Sequence, residues 1–332
     1  MRLWFDLDNF PDVNVFVPIM RRLPDHEHIV TTRKFASLEQ LARDRGLDVR
    51  SVGSHSGSSM LAKGLGTAAR TVALLRTLPR FDAAVGGVGA PMVWTAKLRG
   101  KRSLCFLDND LVTSNLRLSA PFIDRLIVPR AFREEILQRL GLADRTVRYD
   151  GFKEDLAVAD FEPSSGFLDA LPFREYVVVR PEALQAEYVS RNARSIVPEI
   201  LRRFDAAGVN VLYLARDAAD RSHARPYPRV HVPAGAINGL DACYFSKAVL
   251  TGSGTLAREA AVLGVPAASF FPGSQLLSVD QEMVRRSWMI HSREPEELVE
   301  AVLCAKRRPF DRDRAREVLE GVVREIRSSV GG

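Results

Sequence analysis

The segment AVLTGSGTLAREAAVLGVP, Ala248 to Pro266, joins an apolar run ending at Thr251 to an amphipathic stretch beginning near Thr255. The turn between them consists of Gly252, Ser253 and Gly254. A helix that starts with such small residues presents the unpaired amides of Ser253, Gly254 and Thr255 to an anion, at the positive end of the peptide dipoles. Glu259, one turn further on, has acceptor oxygens suited to a ribose diol while the amides hold phosphate. The plain alternatives are a tight turn and an exposed helix acid paired with Arg258. In VVVRPE, Arg180 and Glu182 follow the run Val177–Val179, which places both at the carboxyl edge of a sheet, where open α/β sheets bind ligands. A guanidinium fork suits a diphosphate because it donates two hydrogen bonds at once, although a surface ion pair has the same composition. Gly252, Gly254 and Ala257 also fit the GxGxxA spacing of a dinucleotide-binding turn. No acid ends the next apolar run, Ala267–Pro272, so a nicotinamide cofactor is not expected.

A second set of polar residues follows apolar runs in the first half of the chain. Leu3–Phe5 is followed by DLDNFPD, which puts Asp6, Asp8, Asn9 and Asp12 where a strand crosses to a helix. A strand ending in DxD resembles the nucleophile motif of haloacid-dehalogenase-type phosphatases, in which the carboxylates hold magnesium. Phe10 stands where threonine or valine belongs in that motif, and no downstream acidic pair completes the metal site. For Asp8 and Asp12 the favoured reading is capping of the turn. Asp108, Asn109 and Asp110 follow Ser103–Leu107, so an aspartate there can act as a base or position a hydroxyl, or simply form the turn. Gly86, Gly87 and Gly89 in GGVGAP allow close approach of a ligand or of another element. His55, in the small-residue stretch GSHSGSS, is a candidate acid/base or phosphate contact.

These residues need a scaffold that brings strand ends together, and the patterning supplies one. Short apolar runs alternate with longer periodic stretches along the chain, the signature of βα units and of parallel sheets covered on both faces. The first array has strands at Arg2–Asp6, His28–Thr32, Asp48–Val52, Ala83–Gly86, Ser103–Leu107, Arg125–Val128 and Val147–Tyr149. The second has Tyr176–Val179, Asn210–Leu214, Ala248–Thr251, Ala267–Phe271 and Trp288–Ile290. Periodicity weakens between them, where Pro163, Ser164, Ser165, Gly166 and Pro172 gather. This predicts a first domain over 1–152, a linker over 153–173, a second domain over 174–310 and a C-terminal helix over 311–332 that crosses back to the first domain.

Composition removes several functional classes. A chain of 332 residues, 46% hydrophobic and 27% charged, is expected to form about two globular domains. Its three cysteines have no paired or metal-ligand spacing, which points to a cytoplasmic protein without a disulfide framework or structural zinc. No apolar stretch is long enough for a signal peptide or a membrane span. The net charge of +6 comes from arginines interleaved with acids, without a basic tail or aromatic-basic ladder, so nucleic acid is not an expected partner. Met60–Leu78 places apolar residues beside Lys63, Arg70, Arg76 and Arg80. A core-facing helix with a solvated basic face explains this best, with peripheral contact at the inner face of a membrane as the alternative.

The blocks WFDLDNFPDV, VGSHSGSSML, VGGVGAP, CFLDND, RYDGFKE, VVVRPE, TGSGTLAREAAVLGVP and FPGSQLLSVD, spread from Trp4 to Asp280, resemble the prokaryotic family called domain of unknown function 354. The resemblance implies a GT-B fold, two doubly wound Rossmann-like domains facing a cleft, related to the peptidoglycan N-acetylglucosaminyltransferase and to the nucleotide-sugar 2-epimerases. In those enzymes a small-residue turn and a following acid hold the diphosphate and ribose, which corresponds here to Ser253, Gly254, Thr255 and Glu259. The segment Val230–Phe245 resembles their base-binding loop, with backbone near Val232 and Ile237 facing the base. The epimerases' catalytic glutamates are replaced here by Asp108 or missing around Pro121–Ile123, and their histidine-arginine pair is reduced to Arg180.

The resemblance therefore implies sugar transfer from a nucleoside-diphosphate sugar to a lipid or glycan acceptor. The base would be Asp6, His55 or Asp108, and Asn9, Asp12, Gly87 and Asn109 would line the acceptor side. The helix amides and Arg180 would stabilise the departing diphosphate, with neither cofactor nor metal required. The alternatives are a nucleotide-sugar 2-epimerase or hydrolase, and a non-catalytic nucleotide-sugar binder.

Overall fold

The computed structural model describes residues 1–34, 38–54, 60–111, 114–184, 194–235 and 237–331. It divides into two compact units, Met1–Ala159 with Asp313–Gly332, and Asp160–Arg312.

The first unit is built on seven parallel strands: β1 (Arg2–Leu7), β2 (Glu27–Lys34), β3 (Val49–Ser54), β4 (Ala83–Gly87), β5 (Arg102–Phe106), β6 (Arg125–Pro129) and β7 (Thr146–Tyr149). Their order in the sheet is β3-β2-β1-β4-β5-β6-β7. Between them lie α1 (Phe10–Arg21), α2 (Leu38–Asp44), α3 (Met60–Thr77), α4 (Ala90–Leu98), α5 (Ser114–Ser119) and α6 (Glu134–Arg139), and α7 (Lys153–Val158) follows β7. The central strand β1 is apolar on both faces because both are covered: Leu3, Trp4, Phe5 and Leu7 are fully buried. Trp4 belongs to a core with Leu74, Leu78, Phe81, Met92, Val93, Leu116 and Ile136, so α3, α4, α5 and α6 cover one face of the sheet together.

The second unit repeats the plan with six parallel strands: β8 (Val177–Arg180), β9 (Val211–Tyr213), β10 (Val230–His231), β11 (Val249–Thr251), β12 (Ala267–Ser269) and β13 (Ile290–His291). Their order is β10-β9-β8-β11-β12-β13. The helices are α8 (Val197–Ala206), α9 (Ala218–Ala224), α10 (Gly239–Phe245), α11 (Gly254–Val262), α12 (Ser278–Arg285) and α13 (Pro295–Cys304). In both units the strand order reverses at the centre, between β1 and β4 and between β8 and β11. There Asp6 pairs with Gly86, and Arg180 with Thr251. At such a switch point successive helices leave to opposite faces and open a crevice beyond the strand ends.

The final helix, α14 (Arg312–Gly331), belongs to the first unit. Its apolar residues recur at three and four, and Ala315, Val318, Leu319, Val322, Val323 and Ile326 are all buried. Polar contacts set its register: Arg314 pairs with the buried Asp155, Arg102 donates to the Ser329 carbonyl at 2.9 Å, and Arg327 forks onto Asp25.

The structure differs from the sequence expectations at two strands and in the linker. β10, only two residues long, opens the segment Val230–Phe245 whose resemblance was to a base-binding loop, and no strand was expected there because periodicity cannot be read over two residues. β12 ends at Ser269, and Phe270 and Phe271 are buried beyond the ladder. The expected linker over 153–173 is shared out. Residues 153–158 form α7, and its neighbours Phe161 and Phe167 pack their rings on Tyr244 and Phe245 of the second unit at 5.7 and 5.9 Å.

The close approach of α14 to residue 151 gives a direct test. A Cβ on Gly151 would stand 2.7 Å from both Val318 methyls and 2.9 Å from Asp155 Oδ2. Gly151→Ala is expected to lower stability by about 1–3 kcal/mol by overpacking, and Val318→Ala to recover part of that loss in the double variant. Chemical denaturation of the four proteins measures it.

Candidate functional site

In the second unit the carboxyl ends of β8, β9 and β11 bring basic groups to one sheet edge. Arg180 ends β8 and is half-buried, and its guanidinium makes no hydrogen bond to the described residues. Arg216, three residues beyond β9, donates from Nε to the Pro181 carbonyl at 3.2 Å. Burial and then the like charge of Arg216 push the pKa of Arg180 below its ordinary value, and Glu259 opposes them. An arginine in that state stays charged, so its field remains for an anionic ligand to satisfy.

The turn after β11 divides the work among its residues. Gly252 donates its amide to the Arg180 carbonyl at 3.0 Å, and a Cβ there would stand 2.6 Å from Glu182 Cα. Its role is to let the two central strands approach. Ser253 precedes α11, but its amide donates to Thr251 Oγ1 at 2.9 Å, and the two hydroxyls lie 3.0 Å apart. The Ser253 amide is therefore not open to a ligand, contrary to the sequence expectation, because the threonine hydroxyl ending the strand takes it. The amides of Gly254 and Thr255 open α11, where the first turn offers no acceptor within the helix.

Glu259 is buried on α11, unlike an exposed helix acid, and lies close enough to Arg180 to act on its charge. Arg258 is not Glu259's surface partner. Its Nη1 donates to Asp280 Oδ1 at 3.0 Å, both side chains are about 95% buried or more, and its Nη2 lies 3.5 Å from Thr255 Oγ1. A Cβ on Gly254 would collide with that guanidinium. Arg258 thus curls back beneath the start of its own helix, where its buried ion pair with Asp280 ties α11 to α12. Sequence reading missed this because the pairing acid, Asp280, lies on α12; its only local sign was an arginine on the apolar side of α11.

Glu182 was expected to meet the ligand, and the structure assigns it another task. Its carboxylate accepts from Ser195 Oγ at 2.8 Å, from the Ile196 amide at 3.1 Å and from Arg293 Nη1 at 2.9 Å. The acid is buried and fully engaged in holding the entry to α8 and the loop after β13. In the segment expected to read a base, Val232 packs against the core of the unit, Ile237 is half-buried and Ala236 lies outside the described residues.

The first unit's switch point is electrostatically closed. Arg70, on α3, forks onto Asp6 at 2.7 and 3.0 Å and reaches Asp8 Oδ1 at 2.9 Å, while its Nε donates to the Val52 carbonyl. Thr31 Oγ1 donates to Asp6 at 2.7 Å and itself accepts from Trp4 Nε1 at 2.7 Å. Burial pushes the Asp6 pKa up, and the facing Arg70 pulls against it. Asp6 is therefore not placed as a base: both its oxygens are taken. The guanidinium also stands between Asp6 and Asp8 where the phosphatase reading required magnesium. Gly53, with φ of +78°, lets Arg70 pass, since a Cβ there would touch its Cγ at 3.0 Å.

Asp12 accepts the amides of Asp8 and Asn9 with one oxygen at 3.1 and 2.9 Å, closing the first turn of α1. That is the capping role favoured from sequence, rather than a face toward an acceptor. Burial raises its pKa to about 6, with Lys153 pulling it down. Lys153 Nζ also lies 3.5 Å from Asp108 Oδ1, so this lysine, which opens α7, draws Asp12 and Asp108 to one cation. It stands in the block RYDGFKE without a role assigned from sequence. Asn9 Oδ1 accepts from Arg33 at 3.2 Å, and Asn109 Oδ1 caps the Leu111 amide at 3.0 Å, so both serve their turns. Asp110 is paired with Arg133 at 2.7 Å. A Cβ on Gly86 would meet the Asp6 carbonyl and one on Gly89 would meet Asp8, whereas one on Gly87 would meet nothing within 4 Å. Only Gly87 of the three adjoins open space. His55 lies outside the described residues.

A model of the family described as "Protein of unknown function (DUF354)" matches residues 1–326. The chain belongs to this family. An uncharacterised protein of Methanocaldococcus jannaschii is 24% identical over 326 residues, covering 90% of each chain. The same organism's UDP-GlcNAc 2-epimerase, solved with UDP-GlcNAc and UDP, superposes with a TM-score of 0.72 at 16% identity, covering 98% of this chain and 99% of that one. The glycosyltransferase of kitacinnamycin superposes at 0.57 and 14% identity, over 100% and 96%. The fold is GT-B, with two Rossmann-like parallel-sheet units, and its solved neighbours are enzymes.

Two outcomes follow from these electrostatics. Because the folded pKa of Asp12 is raised, its contribution to stability is full below the ordinary value of 3.8 and is lost as pH rises through about 6. Between pH 7 and pH 5 the wild type should gain about 1 kcal/mol more than Asp12→Asn, read from paired denaturation curves. Arg70→Met strands two carboxylates, one of them buried, and is expected to cost about 3–5 kcal/mol; a loss below about 1 kcal/mol in the same assay would contradict the assignment.

Proposed function

We propose that this protein is a GT-B glycosyltransferase that binds a nucleoside-diphosphate sugar through its second unit and passes the sugar to an acceptor. The observation that carries the reading is the guanidinium of Arg180, without a hydrogen bond to the described residues and beside Arg216, at the switch point where α11 begins. The similarity to an epimerase solved with UDP-GlcNAc and UDP supports the same ligand class.

In the transfer, an acceptor oxygen bonds to the anomeric carbon as the bond from that carbon to the diphosphate oxygen breaks. The electron pair leaves with the diphosphate. Negative charge then builds on its oxygens, where the amides of Gly254 and Thr255 and the guanidinium of Arg180 lower the barrier without having to reorganise. Arg258, paired with Asp280, braces the same helix start. Glu259 takes the ribose hydroxyls. The acceptor's proton goes to Asp108, whose Oδ1 lies 3.5 Å from Lys153 Nζ. Gly87 leaves room on that edge.

One observation favours a second reading, a nucleotide-sugar 2-epimerase. Asp12 and Asp108 share Lys153, and burial raises the pKa of Asp12 to about 6, so the first unit holds a carboxylate pair of which one member takes up a proton near neutral pH. Product analysis with nucleotide sugar alone separates the cases: an epimerase inverts the sugar, a transferase needs an acceptor, and a binder leaves the donor intact.

The first experiment is calorimetry with uridine, thymidine, guanosine, adenosine and cytidine diphosphates and their sugars. Arg180→Ala is expected to weaken the best ligand by about 10- to 100-fold, the loss of a charge-assisted contact, and Glu259→Ala to weaken it less. Glu182→Gln should lower the thermal midpoint while leaving affinity within about twofold, since its carboxylate serves the fold. Unchanged affinity in both Arg180→Ala and Glu259→Ala overturns the proposed site.

A further inference from the structure

The helical layer formed by α3, α4, α5 and the 3-10 turn Ala120–Phe122 has an unusual outer surface. Of the seven large hydrophobic side chains exposed among the described residues, five lie on it: Leu65, Val72, Leu98, Leu118 and Phe122. Leu65 is 73% exposed, Leu98 68% and Leu118 54%, far beyond what a core-facing stripe leaves showing. Sequence reading took the apolar residues of 60–78 chiefly as a buried face. The structure instead buries Arg70, Thr71, Leu74 and Leu78, and turns Leu65 and Val72 outward. The reason is Arg70. Its fork onto Asp6 and Asp8 fixes the rotation of α3, so the residues on the opposite side of the helix face away from the sheet.

Charge on this layer is one-sided. The sequences of α3, α4, α5 and the turn contain no aspartate or glutamate, in a chain with 41 acids among 332 residues. Arg76, Arg80, Lys97 and Arg117 are exposed on these elements or just beyond their ends, and none forms an ion pair among the described residues. The opposite side of the same unit shows the usual arrangement, with Arg22 on Glu320 and Arg327 on Asp25. Trp94 completes the picture: half-buried on α4, it donates Nε1 to the Leu118 carbonyl, a ring with a wet end and an apolar body.

We propose that this layer docks on the surface of a phospholipid bilayer rich in anionic headgroups. Apolar side chains without acids between them enter the boundary between headgroups and acyl chains, and the unpaired arginines and lysine meet the headgroup charge. Charge complementarity selects this occupant over a neutral surface. No helix of the described residues is long and apolar enough to cross a membrane, so the contact lies in the plane of the surface. The surface belongs to the first unit and the nucleotide site to the second, and the proposal stands whether or not sugar transfer is the reaction.

The test is co-sedimentation of the full chain with vesicles of phosphatidylcholine alone and of phosphatidylcholine with phosphatidylglycerol in equal parts. The wild type is expected to bind the mixed vesicles, to bind phosphatidylcholine at least about tenfold more weakly, and to release as salt is raised. Removing the charges in Arg76→Gln/Lys97→Gln/Arg117→Gln should weaken binding by about fivefold per charge. Leu65→Gln/Leu98→Gln/Leu118→Gln should abolish it, with the thermal midpoint and nucleotide binding retained. Absence of wild-type binding to the mixed vesicles overturns the proposal, as does unchanged binding of the leucine variant. A wild-type dimer that the leucine variant converts to monomer also overturns it, because the face then belongs to a second copy of the chain.

Discussion

A parallel sheet whose strand order reverses at its centre cannot cover the carboxyl ends of its two central strands, since the connections that follow leave to opposite faces. This chain meets that constraint twice, once where β1 lies beside β4 and once where β8 lies beside β11. What lies at each gap organises its unit. In the first the chain fills the gap with its own cation, and in the second it leaves positive charge facing outward.

The contrast between the two gaps explains the distribution of polar residues better than any single motif does. In the first unit Arg70 satisfies Asp6 and Asp8, Thr31 passes a hydrogen bond from Trp4 into the same carboxylate, and Gly53, Gly86 and Gly89 exist to let these groups approach. A buried ion pair of this kind adds little net stability, yet breaking it is costly, so it holds the strand ends and the rotation of α3 in one arrangement. In the second unit the carboxylate next to the gap, Glu182, is turned to Arg293 and the start of α8, which leaves Arg180 opposed by Glu259 and, more weakly, by Asp220. A site that must receive a diphosphate gains from this, because the charge is already in place when the ligand arrives.

Residue types and spacing made the elements legible. Apolar runs of β-branched and aromatic residues marked twelve of the thirteen strands within a residue or two at their starts, and Ala267–Phe271 overran only because Phe270 and Phe271 remain buried past the end of β12. The small-residue turn before α11 and the acid one turn later were visible because a helix start is a local object, as was the capping role of Asp12. Two-residue β10 carried too few positions to show a period.

Chain-local physics, then, was written in the sequence: where strands and helices form, which turns are small, and which family the chain joins. Partner choice was not. Asp6 meets Arg70 across sixty-four residues, Glu182 meets Arg293 across 111 and Arg258 meets Asp280 across twenty-two, so each carboxylate's task was settled only when the sheet brought remote segments together. A carboxylate reads the same in sequence whether it will cap, pair or react, because its energy depends on the charges and burial around it, and those are properties of the assembled fold.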